Sequence, residues 1–172
     1  NLKKEDTNSL KKGLVNLERH ISNIKKFGLE PIVAINHFAL DTKKEIDVVL
    51  NFCKDMNVQV SECKHWAMGG KGTTDLAKKV VKTCKDTKKN SFKFLYEDNL
   101  NLWDKIEKIV KEIYRGSKVL ANEDLKEQLK VFEKNGYKSL PVCIAKTQYS
   151  FSTDPKLKGA PSNHEIPIRE VR

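Results

Sequence analysis

Two aromatic side chains, Phe38 and Trp66, each follow a predicted strand and could together hold a flat heterocycle. Phe38 comes after the apolar run 31–35, and Trp66 comes after a run that contains Val58 and Val60. Open α/β sheets bind ligands outside the carboxyl ends of their strands, where neighbouring ends could bring the rings together. Stacking a base on an aromatic ring is worth about 1–3 kcal/mol. The alternative, which the spacing leaves open, is that both rings pack in the core, as most aromatic side chains do.

The segment Gly69-Gly70-Lys71-Gly72 lies in a predicted loop between a strand and a helix. Glycines at such a place let a ligand approach the backbone closely, and the amides of a helix N-terminus attract anions. The segment is not a Walker A loop, because that motif has Ser or Thr directly after its Lys, whereas Gly72 follows Lys71. A tight turn and an anion cradle both remain open on the spacing alone.

Three polar side chains, Lys146, Thr147 and Gln148, follow the predicted buried strand 140–145. Polar clusters on loops at strand ends often bind ligands. Equally, Thr147 and Gln148 could only satisfy backbone groups of the loop. We therefore treat the three residues as a candidate nucleotide or substrate loop with that structural alternative beside it.

Proton transfer has no obvious carrier in this sequence. His37 and His65 lie in the two aromatic loops and could hydrogen-bond a ligand, whereas His20 is expected at an exposed position of a helix. The order of residues supports no Ser-His-Asp or Cys-His arrangement, so the catalytic residues stay unknown. The spacing of cysteines and histidines matches no zinc site, and we predict no metal ligand.

These residues must be positioned by elements that alternate between helix and strand. Apolar residues spaced three and four apart predict helices, one opened by a capping box at Thr42-x-x-Glu45 and another capped by Thr73 or Thr74. Short apolar or alternating runs predict strands at residues 31–35, 58–60, 91–96, 140–145 and 166–171.

Such alternation predicts an α/β fold, with an open, mostly parallel, Rossmann-like sheet that carries helices on both faces. Part of a smaller α+β region would follow. We expect residues 1–145 to form the α/β domain with the candidate loops. Residues 146–172 would form a loop and a strand that lead into a C-terminal region, which is cut off.

Composition limits the classes of partner. The 172 residues carry 33 Lys and Arg against 23 Asp and Glu, a formal net charge of +10. Only four of the basic residues are arginines, whereas proteins that read nucleic acid favour Arg for bidentate and stacked contacts. We interpret the charge as a lysine-rich surface that could attract polyanionic ligands. We expect no specific nucleic-acid partner. Apolar runs fall well short of the roughly 18 residues of a membrane span, so we expect no membrane partner.

The four cysteines predict a reducing compartment. We expect buried, reduced thiols, with Cys53 and Cys84 on apolar helix faces and Cys143 in a strand. The N-terminus is polar and does not resemble a signal peptide. A cytoplasmic location is expected, with the mitochondrion as the alternative. Because the sequence begins without Met and ends within a predicted strand, we also expect a piece of a longer protein.

Several stretches, read in order, resemble the formate–tetrahydrofolate ligase family, also called 10-formyltetrahydrofolate synthetases. The words at 140–150 and 154–161 are long and specific, and together the stretches cover nearly everything after Gly13. They are 13–21 (GLVNLERHI), 31–41 (PIVAINHFALD), 65–73 (HWAMGGKGT), 92–96 (FKFLY), 109–114 (IVKEIY), 140–150 (LPVCIAKTQYS), 154–161 (DPKLKGAP) and 168–172 (IREVR).

The resemblance implies an ATP-dependent ligase that phosphorylates formate and passes the formyl group to N10 of tetrahydrofolate. In this family a Phe and a Trp sandwich the pterin-like ring, and Phe38 and Trp66 match those positions. Gly69, Gly70 and Gly72 match the glycine turn beside that pocket. The implied small molecules are ATP with Mg²⁺ and the substrate tetrahydrofolate, together with a monovalent cation.

The family's phosphate-binding loop belongs to an N-terminal domain and has no counterpart in this chain. We therefore expect this piece to supply the folate pocket and to be inactive alone, with the remainder of the same enzyme as its partner. The family also implies a homo-oligomer. Lys71 is a candidate contact for the folate glutamate tail. The alternative function is a non-catalytic, lysine-rich α/β module that binds nucleotide or nucleic acid.

Overall fold

The computed structural model describes residues 4–86, 91–145 and 149–172. It divides into two compact units, Asn1–Lys93 and Phe94–Arg172. This division differs in place from the domain boundary predicted after residue 145. That boundary adjoins residues 146–148, which lie outside the described part of the chain, and it stays a prediction.

The first unit contains a parallel pair of strands with helices before, between and after them. Strand β1 runs parallel to β2, with Ile32 opposite Gln59 and Asn36 opposite Cys63. Their carboxyl ends therefore lie side by side. The elements of this unit are α1 (Thr7–Lys26), β1 (Ile32–Asn36), α2 (Lys43–Asp55), β2 (Gln59–Cys63), α3 (His65–Met68), a 3-10 turn (Gly69–Thr73) and α4 (Thr74–Asp86).

The predicted capping box at the start of α2 is confirmed. The backbone N–H of Glu45 donates to Thr42 Oγ1 at 3.3 Å, and the N–H of Thr42 donates to Glu45 Oε2 at 3.2 Å. The helix then buries Ile46 and Cys53, as the apolar spacing requires. Helix α1 contributes Ile21 to the same unit's buried residues.

Helix α4 is attached to β2 by a polar network. Oδ2 of Asp75 accepts hydrogen bonds from Ser61 Oγ at 2.6 Å and from Lys79 Nζ at 2.5 Å. Lys79 Nζ also donates to the carbonyl of Val60 at 2.7 Å. The hydrogen bonds that Asp75 accepts from Lys79, the larger cause, and from Ser61 lower the pKa of its carboxyl. Because Ser61 and Val60 lie on β2, the network fixes the start of α4 against that strand.

None of the residues of α4 is buried. Val80 and Val81 stay exposed, and so does Cys84. The prediction of a buried Cys84 is therefore wrong. A two-stranded sheet offers less apolar area than the larger sheet that we predicted, so it covers less of the helix.

The second unit is built around one apolar cluster. Strand β3 pairs in parallel with β4, with Val119 opposite Ile166, and an open cavity of about 970 Å³ adjoins the cluster. The elements are α5 (Leu102–Ile109), a π-helical turn (Val110–Tyr114), β3 (Lys118–Leu120), α6 (Glu123–Phe132), a second π-helical turn (Glu133–Tyr137) and β4 (Glu165–Pro167). The buried cluster consists of Leu102, Ile106, Val110, Tyr114, Val119, Leu125, Leu129 and Ile166.

Residues 140–145 do not form the predicted strand, and side chains instead bond to backbone groups of Leu140 and Val142. The N–H of Val142 donates to Tyr96 Oη at 2.8 Å. Fully buried Lys105 donates from Nζ to the carbonyls of Lys138 at 2.8 Å and Leu140 at 3.0 Å. Cys143 is exposed and lies outside any strand, contrary to prediction.

The strand predicted at residues 91–96 is also wrong, since none of these described residues is assigned to a strand. The N–H of Lys93 donates to the carbonyl of Phe27 at 3.0 Å, and the rings of Phe27 and Phe92 stack 6.1 Å apart. The end of α1 therefore holds this segment in place of a neighbouring strand. At the other end of the chain, the predicted strand 166–171 is reduced to the short β4.

The described residues thus combine helices with two separate two-stranded parallel sheets. This architecture agrees with the α/β class. A single open Rossmann-like sheet is not what these residues form. Strand β3 was not anticipated, because its three residues are too few to give a sequence pattern.

Candidate functional site

Phe38 and Trp66 meet at the carboxyl ends of β1 and β2. Their ring centroids lie 5.9 Å apart with an interplanar angle of 40°. Phe38 is 48% exposed and Trp66 is 72% exposed. Core packing, the alternative considered above, would have buried both rings, whereas here they form an accessible pair.

The spacing of this pair is close to what a sandwiched flat ring needs. Two stacking layers of about 3.5 Å each require a ring-to-ring distance of roughly 7 Å. From 5.9 Å and a 40° tilt, the rings would have to separate by about 1 Å and become parallel to admit a heterocycle. A small change of two exposed side chains would be enough.

A short turn holds the backbone of Phe38. Its N–H donates to Asp41 Oδ2 at 2.8 Å, and the N–H of Asp41 donates back to the carbonyl of Phe38 at 3.0 Å. One residue earlier, the N–H of His37 donates to the carbonyl of Cys63 at 3.0 Å, which continues the pairing of β1 with β2. The ring of Phe38 is exposed, but its backbone is fixed on both sides.

The segment that carries Trp66 is helical, and the glycine segment 69–72, predicted as a loop, lies in the 3-10 turn that follows. The N–H groups of Ala67 and Met68 donate to the carbonyl of Lys64 at 3.1 and 2.9 Å, which closes the short helix α3. The ring of His65 lies 6.3 Å from that of Trp66. Successive turns thus connect β2 directly to α4.

The glycines differ in what the fold requires of them. Gly69 adopts a positive φ of +57°, and a Cβ on Gly72 would lie 2.5 Å from the carbonyl oxygen of Lys64. Gly70 has neither constraint, since no described atom comes within 4 Å of its added Cβ. Lys71 is exposed on the same turn. Tight turning therefore explains Gly69 and Gly72, whereas Gly70 and Lys71 remain accessible.

Glu62 is a charged residue of this site that sequence reasoning missed. Its Oε1 contacts Nδ1 of His37, and Lys64 Nζ lies 3.1 Å from the same oxygen. The hydrogen bonds from His37 first and Lys64 second lower the pKa of the Glu62 carboxyl. The register of β1 and β2 would have identified Glu62, because it places this residue opposite Ile35 near the ends of both strands. A single sequence does not reveal that register.

The structure describes only some of the remaining predicted positions. Lys146, Thr147 and Gln148 lie outside the described residues. His20 is exposed on α1, as expected. Within the described residues, no group of three or more His, Cys, Asp or Glu side chains could hold a metal ion. No helix in the described part of the chain is long and apolar enough to cross a membrane.

Comparison with known proteins decides the family. The sequence model of the formate–tetrahydrofolate ligase family matches residues 1–172, the whole chain. The chain belongs to the formate–tetrahydrofolate ligase family. This match confirms the resemblance found in the sequence stretches.

Curated relatives carry the same name. The formate–tetrahydrofolate ligase of Pelagibacter ubique (strain HTCC1062) is 54% identical over 171 residues, and those of Staphylococcus aureus strains JH9 and Newman are 53% identical over 171 residues. The matches cover 99% of this chain but 30% of each relative. The chain therefore spans about a third of the length of these formate–tetrahydrofolate ligases.

Proposed function

We propose that this chain supplies the folate pocket of an ATP-dependent formate–tetrahydrofolate ligase, with Phe38 and Trp66 on the two faces of the pterin ring. The observation that carries the proposal is the pair of exposed rings 5.9 Å apart at two parallel strand ends. Membership of the family supports it. An exposed aromatic pair is otherwise unfavourable, because apolar area left in water gains nothing from burial.

In the proposed reaction, a carboxylate oxygen of formate attacks the γ-phosphorus of ATP, and ADP leaves. N10 of tetrahydrofolate then attacks the formyl carbon, phosphate leaves, and N10 loses its proton. The described residues of this chain would bind and orient the folate. Its sequence contains no Gly-Lys-Ser/Thr phosphate loop, and its described residues offer no metal cluster. They do not fit the phosphates of ATP with Mg²⁺, which we assign to other parts of the enzyme.

Lys71 and Gly70 would lie beside the part of the bound folate that extends beyond the ring pair. Both are exposed on the turn that follows Trp66. The ammonium group of Lys71 would attract the carboxylates of the glutamate tail, an interaction that salt screens. Lys146, Thr147 and Gln148 remain proposed contacts for nucleotide or substrate.

Several properties of the complete enzyme, meaning the full polypeptide that carries this chain, follow as proposals. Its other parts would complete the active site and extend the β1–β2 pair into a larger open sheet. It would be cytoplasmic, form a homo-oligomer and respond to a monovalent cation. The 172-residue chain alone would lack ligase activity, because phosphoryl transfer depends on positioning and charge stabilisation by groups it does not carry.

The test is equilibrium binding of tetrahydrofolate to the complete enzyme and to two variants. Phe38→Ala should weaken binding by about tenfold, the loss of one stacked ring. Phe94→Ala removes another exposed ring, outside the pair, and should leave the affinity unchanged. Equal affinities in both variants would refute the pocket. A gel-shift titration at physiological salt tests the alternative function, a lysine-rich binding module. That module would be expected to bind nucleic acid tightly.

A further inference from the structure

Glu62 connects the two segments that carry the aromatic rings. Its carboxylate contacts His37, the residue directly before Phe38, and Lys64, two residues before Trp66. Both contacts use the same oxygen, Oε1. One side chain of β2 is therefore joined to the entrance of each ring-bearing turn.

The contact of Glu62 with His37 is better shielded than an exposed surface ion pair, whereas the Lys64 side chain on the other side of Glu62 is 48% exposed. The side chain of Glu62 is 30% exposed and that of His37 is 25% exposed. The exposed pair Glu127–Lys130 has both side chains 64% exposed. Partial burial strengthens charge-assisted hydrogen bonds, because less water competes for them.

Neither ring is held in place by burial, since both are about half exposed or more. Their positions depend on the backbone that carries them. For Phe38 that backbone is fixed by Asp41 on one side and by His37 on the other. For Trp66 it begins at Lys64, whose carbonyl accepts the bonds that close α3.

From these contacts we propose that Glu62 is a positioning residue for the aromatic pair, and that its bonds to His37 and Lys64 set the ring separation that a folate meets. The inference rests on the proposed folate pocket. Glu62 would not touch the reacting atoms. Its loss should raise the KM for tetrahydrofolate and leave kcat at saturating folate unchanged, since the pocket would be less well ordered before binding.

The test measures kcat and KM in the complete enzyme for Glu62→Ala, Glu62→Gln and Phe38→Ala. Glu62→Ala should raise the KM for tetrahydrofolate by about tenfold, the lower end of what one charged hydrogen bond contributes. Glu62→Gln keeps an acceptor at the same place and should raise it less. The KM values for ATP and formate should not change. Glu127→Ala, which removes an exposed paired glutamate, is the matched control.

Two results would overturn the inference. An unchanged folate KM in Glu62→Ala, beside a raised KM in Phe38→Ala, would leave the pocket standing and remove Glu62 from it. A lower kcat with unchanged KM would mean loss of folded enzyme, a purely structural role. If Phe38→Ala itself leaves the folate KM unchanged, the proposed function fails, and this inference fails with it.

Discussion

Gly72 packs directly against the backbone of Lys64. The N–H of Lys64 donates to the carbonyl of Gly72 at 3.0 Å, and a Cβ on Gly72 would lie 2.5 Å from the Lys64 carbonyl oxygen. Because the turn carrying Trp66 lies between these two residues, their contact closes it into a compact loop. The shape of the candidate pocket therefore depends on a position without a side chain.

Gly72→Ala should destabilise the protein by about 1–3 kcal/mol, since backbone atoms cannot move aside as a flexible side chain can. Thermal or denaturant unfolding measures the effect. Gly70→Ala is the matched control on the same turn, because its added Cβ meets no described atom within 4 Å. Equal stabilities of the two variants would show that the Gly72 contact is not needed.

Lys105→Met should destabilise the second unit. Nζ of Lys105 donates to the carbonyls of Lys138 and Leu140, and a methionine would leave these acceptors without their donor. The expected loss is about 1–3 kcal/mol in denaturant unfolding. Lys108→Met, on the same helix with a more exposed side chain, should have little effect. A Lys105→Met protein as stable as the Lys108 variant would contradict the prediction.

Acid should weaken the attachment of α4 through Asp75. Its pKa is lowered by Lys79 first and Ser61 second, from a usual value of 3.8. A carboxyl with a depressed folded pKa contributes stability that is present above the unfolded pKa and is lost as pH falls through the folded pKa. Unfolding measured between about pH 6 and pH 2 should therefore show a smaller decline for Asp75→Asn than for the wild type. Parallel curves would count against this network; Asp47→Asn, an exposed partner of Lys43, serves as control.

The contribution of Lys71 should depend on the length of the folate tail. Lys71→Ala should weaken binding of polyglutamylated tetrahydrofolate to the complete enzyme, have less effect on the monoglutamate, and reduce the salt dependence of affinity. Isothermal titration at two salt concentrations measures this. Lys78→Ala removes an exposed lysine from α4 and provides the control. Equal losses for both tails would show that Lys71 does not contact the tail.

Signals complete within one turn predicted the structure well, whereas contacts between distant residues were hidden. The Thr42–Glu45 capping box was visible because all of its atoms lie within one turn. The meeting of Phe38 and Trp66 followed from the rule that parallel strands end at one edge. Glu62 was missed because its partners depend on the register of β1 and β2.

The wrong strand at residues 140–145 has a similar cause. Its apolar pattern is typical of a buried strand, but Tyr96 and Lys105 occupy its backbone groups from 46 and 35 residues away. Hydrophobic pattern reports which residues prefer burial, and it does not report which groups satisfy the backbone. Cys84 shows a second limit of the hydrophobic pattern, which does not report how large the sheet is. An apolar helix face stays exposed where the sheet is small.

The most direct test of the folate pocket is the dissociation constant of tetrahydrofolate for the complete enzyme with Trp66→Ala and with Trp66→Phe. Removing the ring should weaken binding by about 5- to 150-fold, the worth of one stacking contact, and phenylalanine should recover much of that loss. If Trp66→Ala binds tetrahydrofolate as tightly as the wild type, the aromatic pair is not the folate site.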